Sequence, residues 1–341
     1  MNRFIRYSAI GALAAGIFAA APAAAFDYAG KRITLVIGYG FGGTYGKYAR
    51  TMADHMRNFI PGRPTIIVQS MPGAGGIKMT NFAGSVMAGN GFNIFMPPDT
   101  TIVSQLLRPG KVKYDARNFR WLGASNQTNV IYVVRNDTGI KKITDLKTMP
   151  VIAGHTGPGS TAYLMPTLTK AMLGYDKLKI IGGYKGSSKT LLAMEQGEIT
   201  SAAFNWLAWN SIRPQWFDPK TSFATPILQM GVWKDPDLPN VPMLNDMVKG
   251  KDKAVVSFMS SLGIIGRGLA LPPGTPKEVL DILRPAFAKM VKSDAYKKDA
   301  IKRRLRVLVT SGEEIDKFVV QAFKDADEKV VARARKMIFG K

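Results

Sequence analysis

A compact apolar run at residues 33–37 passes into a glycine-rich turn at 38–43 and then into a helically periodic stretch at 44–60. The same order of strand, glycine loop and helix returns at residues 65–87. A chain that repeats this unit buries β-branched strands under helices, and its loops gather at the strand ends. Glycines in those loops let backbone N–H groups approach a ligand, and the following helix presents its positive end. The pattern is that of an α/β protein suited to holding a small anion.

Further strand-like runs lie at residues 93–96, 130–134, 151–154, 179–182, 200–204, 225–230 and 306–309, with helical stretches between most of them. This alternation predicts mostly parallel sheets covered by helices. In the helix after Gly43, Tyr45, Tyr48, Ala49, Met52, Met56 and Phe59 recur at three- and four-residue spacing, while Lys47, Arg50, Asp54 and Arg57 face away. Thr275 with Glu278, and Ser311 with Glu314, have the spacing of capping boxes for two later helices. Residues 120–134 and 225–230 read as extended crossings, which suit a chain that leaves one domain, builds a second and returns. The expected division is a leader at 1–25, a first lobe from 26–127 and 227–341, and a second lobe at 128–226.

Arg3 and Arg6, an apolar stretch over 9–21 and the small residues Ala23, Ala24 and Ala25 have the form of a cleaved secretory signal. The expected location is therefore periplasmic. The chain has no cysteine, which excludes a disulfide scaffold, thiolate chemistry and Cys-ligated metal. The formal net charge of +23 attracts anions through the summed field. The basic residues are spread thinly, with Lys302, Arg303, Arg304 and Arg306 the densest cluster, so no nucleic-acid footprint is expected.

Residues 38–43 fit a dinucleotide fingerprint, but the next strand ends at Gln69 and Ser70 with no carboxylate for a ribose hydroxyl. No cofactor is expected. Glycine loops at 71–76, 155–161 and 182–188 repeat the first arrangement, so two pairs of anion-binding turns face each other across a cleft. Enzyme readings find little support. His55 lies mid-helix beside Asp54, His155 opens a glycine loop, and no nucleophile elbow surrounds Ser160. Metal-ligand spacings are missing, and Glu195 with Glu198 reads as surface chemistry.

Residues 42–50, 60–64 and 68–76 closely resemble the tripartite tricarboxylate transporter receptor family, and the resemblance continues through 154–161, 182–188, 236–242 and 271–276. It implies a two-lobed α/β fold of the periplasmic-binding-protein type (type II, a Venus flytrap), each lobe a mostly parallel sheet flanked by helices, with crossing strands as hinge. It also implies a ligand, usually a carboxylic acid, held by backbone amides and hydroxyls, often through water and without a strong arginine clamp. Carried over, the binding residues are Tyr39, Gly40, Phe41, Gly43 and Thr44 in the first loop, and Gly157, Ser160 and Thr161 opposite. Gly186 and Ser187 lie beside the latter, and Asp99, Thr100, Asn205 and Trp206 sit at further strand ends. Trp206, Trp209 and Trp233 are candidates for partial cleft lining, with apolar packing expected for at least two. The implied function is a non-enzymatic receptor that passes an organic acid to the small and large membrane subunits of a transporter; the alternative is a sensor for a membrane kinase. One departure stands out: relatives usually have Asp after the Gly-Gly-x-Tyr step, and this chain has Gly46.

Overall fold

The computed structural model describes residues 26–340, so the leader expected at 1–25 lies outside the described residues. Along the chain the strands are β1 (Arg32–Ile37), β2 (Thr65–Ser70), β3 (Asn93–Met96), β4 (Arg120–Ala124), β5 (Val130–Arg135), β6 (Val151–His155), β7 (Leu178–Gly182), β8 (Ser201–Asn205), β9 (Ala224–Met230), β10 (Gly268–Leu271) and β11 (Thr310–Ser311). They form two sheets with strand orders β11-β4-β10-β3-β1-β2 and β7-β6-β8-β5-β9. Each sheet is the centre of one lobe.

The strands read as near-continuous apolar runs because both faces of each sheet are covered. In β5, Val130, Tyr132 and Val134 enter one core with Val151 and Leu164. Ile131 and Val133, pointing the other way, join Leu191, Trp209 and Trp216. In β1, Leu35 and Ile37 pack with Tyr48, Met52 and Met56, whereas Val36 packs with Met79, Phe95 and Trp121.

The sheets are mixed. β1 runs parallel to β2 and β3, and β6 parallel to β7 and β8. β10 runs antiparallel to β3 and β4, and β5 antiparallel to β8 and β9. The antiparallel strands are those by which the chain crosses between lobes, since a crossing strand enters its sheet from the far side. The extended pattern at 120–134 is cut after Ala124, so β4 and β5 belong to different sheets.

Ser125, Asn126, Thr128 and Asn129 link those two strands and are buried, as is Gln229 on the returning segment. Their polar groups are paired with one another and with the lobes. Asn126 Oδ1 accepts from Arg267 N at 2.7 Å, and Asn129 Nδ2 donates to Gln229 Oε1 at 3.1 Å. Gln229 Oε1 also accepts from Asp235 N at 2.9 Å. These amides stitch the two crossings into one hinge.

Several expectations are corrected. The return to the first lobe comes later than residue 227: all of β9 is in the second sheet. The helices Lys251–Ser260 and Glu328–Phe339 place Val255, Met259, Val331 and Ile338 in the second lobe's core. Residues 306–309 are not a strand; Leu308 and Val309 are exposed, and only Thr310 and Ser311 pair with β4. The Ser311 capping box forms, with Glu314 N donating to Ser311 Oγ at 3.2 Å and Ser311 N to Glu314 Oε2 at 2.7 Å. The Thr275 box does not, because its hydroxyl donates to Pro272 O at 2.7 Å and the helix starts after Pro276.

Candidate functional site

Six helices begin directly after strands: α1 (Thr44–Met56), α2 (Ile77–Ser85), α3 (Thr101–Leu107), α4 (Thr161–Leu173), α5 (Ser187–Glu195) and α6 (Trp206–Ile212). Three follow strands of the first sheet and three follow strands of the second, so the six turns meet at the boundary between lobes. Ligands of open α/β sheets bind at such carboxyl ends of strands.

The opposing turns touch through the backbone. Gly40 N donates to Lys185 O at 2.9 Å, and Gly75 N to Thr156 O at 3.1 Å. Thr100 Oγ1 donates to Gly159 O at 2.7 Å. Glycine is required for this approach: with φ at +70°, Gly75 would place a Cβ 2.4 Å from Ser160 N, and Gly157, with φ at +130°, would place one 2.3 Å from Gly75 N.

Between the turns lies a small cavity of about 20 Å³, little more than a water needs. Tyr39, Gly43, Thr44, Tyr45 and Asp99 line it from the first lobe, and Thr156, Ser160, Thr161, Ser187, Phe204, Asn205 and Ala208 from the second. Arg267, one residue ahead of β10, completes the wall. A larger space of about 370 Å³ adjoins, bordered by Tyr39, Pro72, Gly73, Thr156, Gly157 and Lys185.

Arg267 is the residue that sequence reasoning missed. It is 1% exposed, and its guanidinium lies 4.0 Å from the Tyr45 ring centroid. Nη2 donates to Thr44 Oγ1 at 3.0 Å and to Asn205 Oδ1 at 2.9 Å, joining the two lobes. Nη1 lies 3.4 Å from Asp99 Oδ2. Burial pushes the Asp99 carboxyl above its usual range, and the neighbouring guanidinium opposes that shift. The resemblance implied recognition without a strong arginine clamp; the wall nonetheless includes this buried guanidinium. Its signal in the sequence was one charge between Gly266 and Gly268 inside an apolar run.

Three buried side-chain atoms on cavity-lining residues have no hydrogen-bond partner: Arg267 Nε, Asn205 Nδ2 and Thr156 Oγ1. The first two can only donate. Buried polar groups are nearly always paired, so the two free donors suit an acceptor, from a ligand or a water.

The other expected site residues divide by role. Tyr39, Gly43, Thr44, Asp99, Ser160, Thr161, Ser187 and Asn205 line the cavity. Gly40 and Thr100 spend their donors on the opposite lobe, Gly186 lies against the Gly40 backbone, and Gly157 borders the adjoining space. Phe41 is 44% exposed and sits 5.9 Å under Arg50, so it does not enter the cavity. Trp206 turns away as well, donating to Asp237 Oδ2 at 2.9 Å and packing on Phe217. Trp209 is in the core, and Trp233 does not line the cavity.

Ser160 Oγ donates to Gly157 O at 2.8 Å, while His155 Nδ1 accepts from Gly157 N at 2.9 Å. Both groups are held by the Gly157 backbone and not by each other. His55 pairs with Asp299 at 3.1 Å. A Cβ on Gly46 would lie 2.1 Å from Phe41 O, so the carboxylate usual in relatives has no room in this loop.

Two α/β lobes whose strand ends close over a donor-lined cavity define a two-lobed ligand-binding protein. The chain belongs to the TctC family, described as "Tripartite tricarboxylate transporter family receptor", whose profile matches residues 48–334. A comparison with curated protein sequences finds no match. Among solved structures, the periplasmic binding protein BugD is 18% identical with a TM-score of 0.70, covering 90% of this chain and 97% of that one. Rpa4515 of R. palustris, solved with adipate, is 18% identical with a TM-score of 0.69, covering 91% and 98%. MatC of Rhodopseudomonas palustris, with bound malate, is 16% identical with a TM-score of 0.67, covering 90% and 99%. At these identities the likeness is one of fold.

Proposed function

We propose that this protein is a periplasmic receptor that captures a small organic acid between its lobes, without converting it, and delivers it to the membrane subunits of a tripartite transporter. The observation that carries the reading is the pair of unpartnered donors, Arg267 Nε and Asn205 Nδ2, on residues of one buried cavity. Both suit a carboxylate. The adipate and malate bound to two proteins of the same fold agree with that chemistry.

Charge-assisted hydrogen bonds contribute about 1.5–3 kcal/mol each. Three to five of them reach the roughly 8 kcal/mol of micromolar binding once ordering costs are met. The ligand drives closure only because it binds the closed lobes better than the open ones. Closure then creates a surface that a membrane subunit can tell from the open form. No helix among the described residues is long and apolar enough to cross a membrane.

Calorimetry against mono-, di- and tricarboxylates tests the binding claim. Binding of at least one acid near the micromolar range is expected; silence from all of them, with tight binding of a neutral solute, overturns it. Uptake of the bound acid by vesicles carrying the two membrane subunits tests delivery, and uptake that is equally fast without the receptor refutes that part.

A further inference from the structure

Among the described residues, two carboxylates are buried beside an arginine, and they are treated differently. Asp235, fully buried, receives Arg306 through both oxygens, Nη1 to Oδ2 at 2.9 Å and Nη2 to Oδ1 at 3.1 Å. Its Oδ1 also accepts from Asp237 N at 3.0 Å. Asp99, 4% exposed, has one ion-pair contact, Arg267 Nη1 at 3.4 Å, with the Asn205 side chain and the Thr100 N–H also beside its carboxyl. A satisfied arginine–carboxylate pair is bidentate and closes to about 2.7–2.9 Å. The cavity pair is loose, and a carboxylate can accept about four hydrogen bonds.

The same small cavity therefore holds acceptor capacity on Asp99 beside donor capacity on Arg267 and Asn205. Because the two charges stand 3.4 Å apart at their nearest atoms, a ligand meeting both carries its acceptor and its donor on neighbouring atoms. Among the described residues, Arg267 and Asp99 are also the only charged ones lining the cavity, so their charges cancel. A second ligand carboxylate next to Asp99 adds like charge in a buried place, where an unpaired charge is costly.

We infer that the ligand is a monocarboxylate bearing a hydrogen-bond donor on the carbon next to the carboxylate, with Arg267 and Asn205 holding the carboxylate and Asp99 holding the donor. A 2-hydroxy acid and a 2-amino acid share this chemistry. The inference rests on the carboxylate-receptor reading and narrows it, because Asp99 selects against di- and tricarboxylates at this end of the site.

The test is calorimetry on the full mature protein with a matched quartet: propionate, lactate, alanine and malonate. The same quartet extended by a phenyl ring covers ligands that reach the adjoining space. In at least one series, the hydroxy or amino member is expected to bind at least tenfold tighter than its donorless parent, and the malonate member more weakly than either. Which of the two donors wins tells an amino acid from a hydroxy acid. In Asp99→Asn the tenfold margin is expected to fall below about threefold, and the wild-type quartet decides alone where that variant does not fold. Equal binding of donorless and donor-bearing acids overturns the inference, as does tightest binding of the malonate member; both leave the carboxylate-receptor reading standing. Failure of every acid, with a neutral solute bound, removes both.

Discussion

Arg267 Nη2 lies 2.9 Å from Asn205 Oδ1, tying the residue before β10 to the last residue of β8 on the other lobe. Removing one member of a buried ion pair strands the other and typically costs about 3–5 kcal/mol. Arg267→Met is expected to destabilise by that amount in urea unfolding, and Arg267→Met with Asp99→Asn to recover most of it. Carboxylate binding stays lost in both. A double variant no more stable than the single would show that Asp99 is not the partner that matters.

Thr44 Oγ1 accepts from Arg267, and Ser160 Oγ donates to the Gly157 carbonyl within its own loop. Each of Thr44→Ala and Ser160→Ala is expected to weaken ligand binding by about 0.5–3 kcal/mol. Thr44→Ser, which keeps the hydroxyl, should stay close to wild type. Unchanged affinity in both alanine variants would assign recognition to the loop backbone.

Gly46 is pressed against the Phe41 carbonyl, with 2.1 Å left for a Cβ. Restoring the aspartate that relatives usually carry there is therefore expected to harm the protein. Gly46→Asp and Gly46→Ala should both lose about 1–3 kcal/mol, the usual range for overpacking, in thermal or urea unfolding. A Gly46→Asp variant of full stability would mean that the loop over α1 adapts freely.

Acid should weaken the fold through two outlying carboxylates. Hydrogen bonds from Arg303 hold Asp299 below the usual carboxylate range, with His55 contributing, and hydrogen bonds from Arg213 do the same for Glu195. A lowered folded-state pKa gives stability that is present above the unfolded value, near 4, and lost as pH falls through the folded one. The melting temperature is expected to hold from neutrality to about pH 5 and then decline, less steeply in Asp299→Asn with Glu195→Gln. Asp99 works in the opposite sense: its raised pKa means its contribution is lost as pH rises, so it does not account for an acid-side decline. An acid limb of the same slope in the double variant would exclude these two groups as its source.

The most legible strands were those whose apolar runs are covered on both faces, such as Val130–Val134, although the partly exposed edge strands β2 and β7 could be read too. β10 was not, because three residues between Gly268 and Pro272 carry too little pattern. All six turns at the site could be read, since a glycine or polar step after a strand leaves a local mark. What each side chain does there could not. Asn205 and Trp206 are neighbours, yet the first lines the cavity and the second packs outward, a choice made by the first turn of α6. Arg267 is more than 200 residues from Thr44 and sits near it only because β10 returns beside β3. Nothing local announces that meeting.

A crystal structure of the protein with a bound acid tests the central claim most directly. The account predicts closed lobes with the ligand carboxylate within about 2.7–3.2 Å of both Arg267 and Asn205 Nδ2. An acid bound elsewhere, with Arg267 still paired only to Thr44, Asn205 and Asp99, would contradict it.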